Sequence, residues 1–244
     1  MLKSIFTVKD NSKIAKNTFE MKLRGDISHI TAPGQFVNIQ LDGFYLRRPI
    51  SVCDAEEGVL TIIYKAVGRG TEYMSGLASG EKLDILSGLG NGYDMQKSGE
   101  APLLIGGGAG VPPMYMLCKK LTAAGKKCRV ILGFNTADEV FYADRFEALG
   151  AEVTVSTADG STGTKGFVTD CIPKGGYTHF YTCGPEPMLK AVYSATGEIS
   201  GQFSFEERMG CGFGACVGCT CETKYGNKRI CRDGPVLTKE EIVW

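Results

Sequence analysis

The chain has 244 residues, 43% hydrophobic and 22% charged, with 27 basic against 27 acidic side chains. That length suits one large domain or two small ones with a short addition, and the composition excludes wholesale disorder. With no basic surplus and no apolar run near ~18 residues, it offers neither a nucleic-acid footprint nor a membrane span.

The first hundred residues read as strands. Ser4–Val8, Thr18–Leu23 and Gln35–Leu41 alternate apolar and polar residues, and Pro49–Cys53 and Val59–Val67 continue the pattern. A short helical stretch follows at Thr71–Ala78, then a strand at Lys82–Leu86. Short strands with Gly and Pro between them predict a small antiparallel barrel over residues 1–98. From Gly99 strands alternate with helices: Pro102–Ile105, a helix over Pro112–Ala124, Cys128–Gly133, a helix over Asp138–Leu149, Ala151–Ser156, Thr178–Cys183 and a helix over Glu186–Ala195. That alternation predicts a parallel-sheet α/β domain over residues 99–200. Residues 201–244 form a Gly/Cys-rich segment too short for a sizeable core of its own.

Two segments of the α/β region carry nucleotide chemistry. Gly106-Gly107-Gly108-Ala109-Gly110-Val111-Pro112-Pro113 joins a strand to a helix. Such a loop offers free N–H groups and the positive end of a helix dipole to a pyrophosphate, and early prolines remove only donors without a helical partner. It is not the G-x-G-x-x-G fingerprint, because Val111 stands where the third glycine would be. Thr182-Cys183-Gly184-Pro185-Glu186 makes a second turn of the same kind, and two such turns at strand ends mark a crevice for an extended ligand. Taken singly, either could be a tight packing turn, and Cys183 a small core residue.

In the barrel region, Arg47-Arg48-Pro49-Ile50-Ser51 sets a guanidinium and a hydroxyl at a strand start, where they can grip a phosphate or a flavin edge. The bland alternative is an exposed cationic turn. Gly70 and Thr71 open the short helix and could face a phosphate.

Ten cysteines in a chain without an obvious secretory leader point to metal or redox ligands rather than disulfides, and the expected compartment is the cytoplasm. Five fall between residues 211 and 231. Cys211-x4-Cys216-x2-Cys219 with a distant Cys231 is the plant-type spacing for a 2Fe–2S cluster. Gly210, Gly212, Gly214 and Gly218 allow the backbone to wrap closely around sulfur. A structural zinc site with four thiolates is the alternative, although zinc sites usually pair two C-x2-C knuckles. Cys221, two residues after Cys219, reads as a non-ligand.

These segments in this order resemble the ferredoxin–NADP reductase superfamily and, within it, the electron-transfer subunits of class B dihydroorotate dehydrogenases. The resemblance covers essentially the whole chain, and Glu206–Gly212 with the following cysteines is its most specific part. It implies FAD across the barrel, touching Arg48, Pro49, Ile50 and Ser51, with Tyr64, Lys65, Gly70 and Thr71 completing the contacts. It implies NAD in the second domain, against Gly106, Gly107, Gly108, Gly110, Cys183, Gly184 and Pro185, and a 2Fe–2S cluster on Cys211, Cys216, Cys219 and Cys231. Relatives that use NADP usually carry an Arg after the strand ending at Ser156. Here the residues are Thr157-Ala158-Asp159, which favours NAD, although Lys165 is not far along the chain.

Apart from the resemblance, the three cofactors form a logical set. NAD exchanges hydride, a 2Fe–2S cluster passes single electrons, and a flavin converts between them. No side chain is required as a strong acid or base, so no catalytic residue is expected, and His29 and His179 read as structural. Dihydroorotate oxidation needs a base beside a second flavin, and this chain has no candidate pocket for it. The resemblance therefore implies a separate FMN-containing catalytic subunit, two of each chain in a heterotetramer, serving pyrimidine (UMP) biosynthesis. The rivals are a subunit of another flavin/iron–sulfur reductase, such as an NADH-dependent ferredoxin:NADP oxidoreductase or a sulfide dehydrogenase, and a zinc-stabilised binding module.

Overall fold

The computed structural model describes residues 1–244. Six strands make the amino-terminal barrel: β1 (Leu2–Ala15), β2 (Thr18–Arg24), β3 (Phe36–Ile39), β4 (Arg48–Glu56), β5 (Val59–Lys65) and, after helix α1 (Arg69–Ser75), β6 (Lys82–Leu89). They close in the order β1-β2-β5-β4-β3-β6, every neighbouring pair antiparallel. The two-residue alternation drives the closure. Phe6, Val8, Met21, Leu23, Val37, Ile39, Val52, Leu60, Ile62 and Ile85 point inward into one core, while polar neighbours face out.

Beyond the barrel the chain runs β7 (Pro102–Gly107), α2 (Val111–Ala123), β8 (Arg129–Phe134), α3 (Ala143–Ala148), β9 (Glu152–Thr157), β10 (Thr164–Lys165), β11 (His179–Cys183) and α4 (Glu186–Ala195). It ends with β12 (Gly201–Ser204), the hairpin β13 (Thr220–Thr223) and β14 (Gly226–Arg229), α5 (Ile230–Asp233) and β15 (Val236–Thr238). Seven of these strands form one sheet in the order β10-β9-β8-β7-β11-β12-β15, parallel except for the last strand. All six residues of β7 are buried, as a central parallel strand covered on both faces must be. The chain winds outward from β7 to β10 and then returns to β11 on the other side of β7. The switch in direction thus falls between β7 and β11, where such sheets leave a crevice.

The sequence reading and the structure differ at three places. The helix expected over Asp138–Leu149 is only Ala143–Ala148, because Tyr142 takes φ +68°, a left-handed conformation that no helix continues through. The first strand runs past Val8 to Ala15, pairing with β6 over its first half and with β2 over its second. Finally, β12 and β15 from the Gly/Cys-rich segment extend the large sheet, and Cys219, Ile230, Cys231, Leu237 and Ile242 share a core with Leu103, Phe180 and Phe203. A segment too poor in apolar residues to bury itself completes a neighbour's core instead.

The barrel and the sheet are locked together. Met116 of α2 sits in the barrel core. Lys119 of the same helix bridges to Asp54 (2.8 Å) and Glu56 (2.6 Å) of β4. Arg145 reaches Glu20 of β2 at 2.7 Å, and the Tyr142 hydroxyl donates to the same carboxylate.

Candidate functional site

The two glycine turns meet at the switch point. Cys183 pairs with Gly106 in the β7–β11 register, so both turns leave the sheet side by side. A Cβ on Gly110 would stand 2.1 Å from the Cys183 carbonyl oxygen, and one on Gly106 2.9 Å from the Val111 Cα. On Gly107 and Gly184 it would stand 2.3 and 2.4 Å from the Met188 side chain. Gly106 and Gly110 are therefore required by backbone packing, whereas at Gly107 and Gly184 the obstacle is the end of a flexible side chain. Gly108 differs: its φ is +51° and its missing Cβ faces open space. Ala109 beside it and Pro185 of the second turn are exposed. Cys183 is half-buried; desolvation pushes its thiol up to about 12, with the Ser204 hydrogen bond opposing and Glu206 adding.

The Gly108–Ala109 tip faces the barrel. Tyr64 and Lys65 of β5, Ile63, Phe134 and Phe141 line a small cleft with it, closed at one side by Glu139. Tyr64 stacks on Phe19 and donates to Asn11 Oδ1 at 2.8 Å; burial raises its phenol to about 12. Lys65 pairs with Glu139 at 2.9 Å across the two units. The sequence reading had no signal for Glu139, which sits on the turn before α3.

At the start of β4 the two arginines divide their roles. Arg47 turns into the barrel rim, pairing with Asp84 at 2.8 Å and donating to the Asn38 and Asp84 carbonyls. Arg48 lies over the Phe44 ring at 5.0 Å, donates to the Leu46 carbonyl and packs on Gly70, where a Cβ would meet its Nε at 2.2 Å. Arg48 and Gly70 are therefore brought together across 22 residues of sequence. Thr71, in contrast, turns its hydroxyl back to the Val67 and Gly68 N–H groups. Pro49, Ile50 and Ser51 are all half-buried along the same strand.

In the carboxy-terminal segment the cysteines gather as two pairs. Cys216 N–H points at Cys211 Sγ (3.4 Å), and Cys231 N–H at Cys219 Sγ (3.5 Å). Desolvation works against the Cys211 thiolate, but N–H groups of Cys216, Phe213 and Ala215 outweigh it and bring the thiol down to about 6. Gly212 and Gly214, at φ +78° and +89°, turn the loop so that these N–H groups converge. Cys231 is pushed up to about 12 by desolvation and then by its neighbour Cys219. No three His, Cys, Asp or Glu side chains converge as around a single ion. Two thiolate pairs fit a binuclear group, in which each metal takes two protein ligands, better than one tetrahedral zinc. Cys221, half-buried on β13, turns instead to the Glu222 carbonyl.

Two asparagines without a motif tie this segment to the barrel. Asn38 Nδ2 donates to the Cys211 carbonyl at 3.1 Å, and Asn91 exchanges bonds with Val236 at 2.8 and 3.1 Å. Asn38, a polar residue between Val37 and Ile39, carried at most that signal in the sequence, and Asn91, between two glycines, carried none. His29 is exposed; His179 is buried between Ser200 and Gln202, and desolvation lowers it to about 4.

Comparison with known proteins gives this geometry its context. Residues 206–243 match the family model described as the iron–sulfur cluster binding domain of dihydroorotate dehydrogenase B, and residues 104–194 match the oxidoreductase NAD-binding domain. Among solved structures, a chain of an NADH-dependent reduced ferredoxin–NADP oxidoreductase superposes with a TM-score of 0.89 at 29% identity, over 99% of this chain and 90% of that one. A ferredoxin reductase of carbazole 1,9a-dioxygenase shares the fold (TM-score 0.71, 21% identity, 81% and 66% covered). The dihydroorotate dehydrogenase B (NAD+) electron transfer subunit of Fusobacterium nucleatum is 46% identical over 97% of this chain and 96% of its own. That of Bacillus pumilus is 43% identical over 99% and 98%. With both end-to-end identity and the two domain matches in the same order as the turns and cysteines described above, the chain belongs to the family of dihydroorotate dehydrogenase B electron transfer subunits.

Proposed function

We propose that the chain passes electrons from an FMN-containing catalytic subunit, through a 2Fe–2S cluster and FAD, to NAD+ in a cytoplasmic assembly of two chains of each kind. One observation carries the reading. The strand β4 that begins with Arg48 is paired to Asn38, which holds the cysteine loop, and the neighbouring strand β5 ends at the cleft facing Gly108. The candidate cluster, flavin and nucleotide residues thus lie in unbroken succession across one side of the molecule. When bound, a flavin exchanges electron pairs with a nicotinamide and single electrons with an iron–sulfur cluster, which this order needs.

The chain's own groups bind, orient and shield. Arg48, backed by Phe44 and seated on Gly70, presents a guanidinium suited to a flavin phosphate, and Pro49, Ile50 and Ser51 supply the strand edge beside it. Tyr64, Phe134 and Phe141 give the cleft apolar walls that exclude water, and Lys65 stands at its mouth. Gly106, Gly107, Gly110, Gly184, Pro185 and Cys183 bring two turns together, and Gly108 leaves the crevice open to a pyrophosphate. Asp159, after β9, takes the Ser161 N–H and hydroxyl (2.9 and 2.6 Å); an anion there repels a ribose 2′-phosphate and favours NAD. Cys211 with Cys216 and Cys219 with Cys231 are the thiolate pairs for the cluster. No group of this chain is assigned a proton-transfer role.

The test is an absorption spectrum of anaerobically purified chain, alone and with its catalytic subunit. NADH is expected to bleach flavin and cluster bands in both samples, and dihydroorotate only in the complex. Dihydroorotate turnover by the isolated chain overturns the division of labour; flavin absorption with zinc in place of the cluster overturns the electron route. The likeness to the NADH-dependent ferredoxin–NADP oxidoreductase chain supports a second reading, with a partner rich in 4Fe–4S clusters. The higher identity to dihydroorotate dehydrogenase subunits favours the first.

A further inference from the structure

Asn38 is the polar contact between the barrel strands and the cysteine loop. It lies in β3, only 1% exposed, and its Nδ2 donates to the Cys211 carbonyl at 3.1 Å. Gly212, at φ +78°, packs so closely that a Cβ there would stand 2.2 Å from the same nitrogen. The bond to a carbonyl fixes the orientation of the amide, since turning it over would set oxygen against oxygen. Its Oδ1 is then left buried with no donor from the chain. A buried acceptor without a partner is costly, so this corner is built around more than the packing of the two segments.

The register gives the position meaning. Asn38 stands opposite Pro49, and Phe36 opposite Ser51. Opposed residues of an antiparallel pair project from the same face. Val37 and Ile39 fill the barrel interior, so Phe36, Asn38, Pro49 and Ser51 share the outer face. On that face Phe36 belongs to the same buried apolar cluster as Cys219 and Cys231, while Asn38 holds the Cys211 carbonyl. Arg47 clamps the Asn38 backbone by donating to its carbonyl at 3.2 Å while paired with Asp84.

We infer that Asn38 is a positioning residue for electron transfer between flavin and cluster: its amide holds the Cys211 carbonyl, and with it the loop of N–H groups around Cys211 Sγ, at a set separation from Pro49–Ser51. The inference rests on the function proposed above. With both groups bound, a flavin would supply the single electrons that the cluster takes up, two in succession for each hydride received from NADH, and no bond would form or break at Asn38. The amide acts by fixing distance and by keeping the sulfur's N–H donors aligned, which tunes the potential of the cluster.

The experiment compares Asn38→Leu, of similar shape without polar atoms, and Gly212→Ala, which crowds the same contact from the other side. Both are made in the full chain produced with its catalytic subunit. Four quantities are read: iron and sulfide content, hydrogen exchange over residues 210–216, the cluster potential by redox titration, and the separate rates of flavin and cluster reduction after mixing with NADH. Both variants are expected to retain the cluster, exchange faster over 210–216 and shift the cluster potential. Cluster reduction should slow by about ten- to a hundredfold, as for other outer partners of metal ligands, while flavin reduction keeps its wild-type rate. Wild-type cluster reduction with an unshifted potential overturns the inference. So does loss of iron from both variants, which would make Asn38 a residue of cluster retention. Wild-type protein lacking flavin or cluster would instead refute the underlying function.

Discussion

The chain has two glycine-rich loops that look alike in sequence and are glycine-rich for different reasons. In the loop after β7, Gly106 and Gly110 are dictated by proximity: a Cβ would stand 2.9 Å from the Val111 Cα of the same loop and 2.1 Å from the Cys183 carbonyl oxygen of the second turn. In the cysteine loop, Gly210 and Gly218 meet nothing tighter than Cys216 Sγ at 3.5 and 3.7 Å, while Gly212 and Gly214 carry positive φ and in addition leave room for Asn38 and Arg232, whose side chains would stand 2.2 and 2.7 Å from a Cβ there. One loop needs glycine so that two turns can touch beside a strand end. The other needs it so that successive N–H groups can turn toward a sulfur.

The largest effect expected falls on the cysteine loop. Cys231→Ser should abolish the visible absorption of the cluster, whereas Cys221→Ser, on a side chain turned to the Glu222 carbonyl, should leave it intact. Equal loss in both would mean that the two-pair geometry misidentifies the ligands.

Gly110→Ala comes next. Its Cβ meets a backbone carbonyl, which cannot swing aside, so urea unfolding should register a loss of about 3 kcal/mol together with weakened NADH binding. An unchanged midpoint would remove the packing explanation for the nucleotide loop.

Acid tests the same strand from its far end. His179 begins β11, which finishes at Cys183, and burial holds it near 4 against an ordinary value of about 6.5. The imidazole accepts from Gln202, contacts Ser200, and feels Lys97 on one side and Asp94 and Glu240 on the other. The unfolded chain takes up this proton first, so stability is fully present above pH ~6.5 and falls as pH drops toward 4. The histidine should contribute roughly 2–3 kcal/mol of that fall. In His179→Gln the slope between those pH values should flatten, as read by denaturation at each pH; an unaltered slope would mean that other groups cause the fall.

The smaller effects sharpen the contrast. Gly108→Ala has room for its methyl but an unfavourable φ, so about 1 kcal/mol of stability and a raised KM for NADH are expected. Gly210→Ala has room in ordinary contact and no positive φ. It should alter stability by less than about 0.5 kcal/mol and keep the cluster spectrum, whose loss would extend the handedness requirement to the whole loop.

Much of this organisation is legible in the chain itself. Period-two alternation marks the barrel strands because inward and outward side chains must differ in a closed sheet. Glycine and proline at Gly106–Pro113 and Gly184–Pro185 mark the turns because a Cβ at Gly106 or Gly110 has no room beside neighbouring backbone and proline suits a first helical turn. The spacing from Cys211 to Cys231 marks the cluster segment because ligands must reach a compact group along a short tether. These are local constraints, and a local pattern can record them.

What tertiary structure alone decided is which distant segments meet. Nothing near Asn38 in sequence announces Cys211, 173 residues away. Nothing in Gly201–Ser204 or Val236–Thr238 announces that they extend the sheet of the preceding domain, or in Arg47 that it serves Asp84 while Arg48 rests on Gly70. Tyr142 breaks its expected helix to reach Glu20 in the barrel. Each of these contacts is chosen by burial and hydrogen-bond satisfaction over the whole molecule. Many residue pairs could meet such demands, and only the packed chain selects among them.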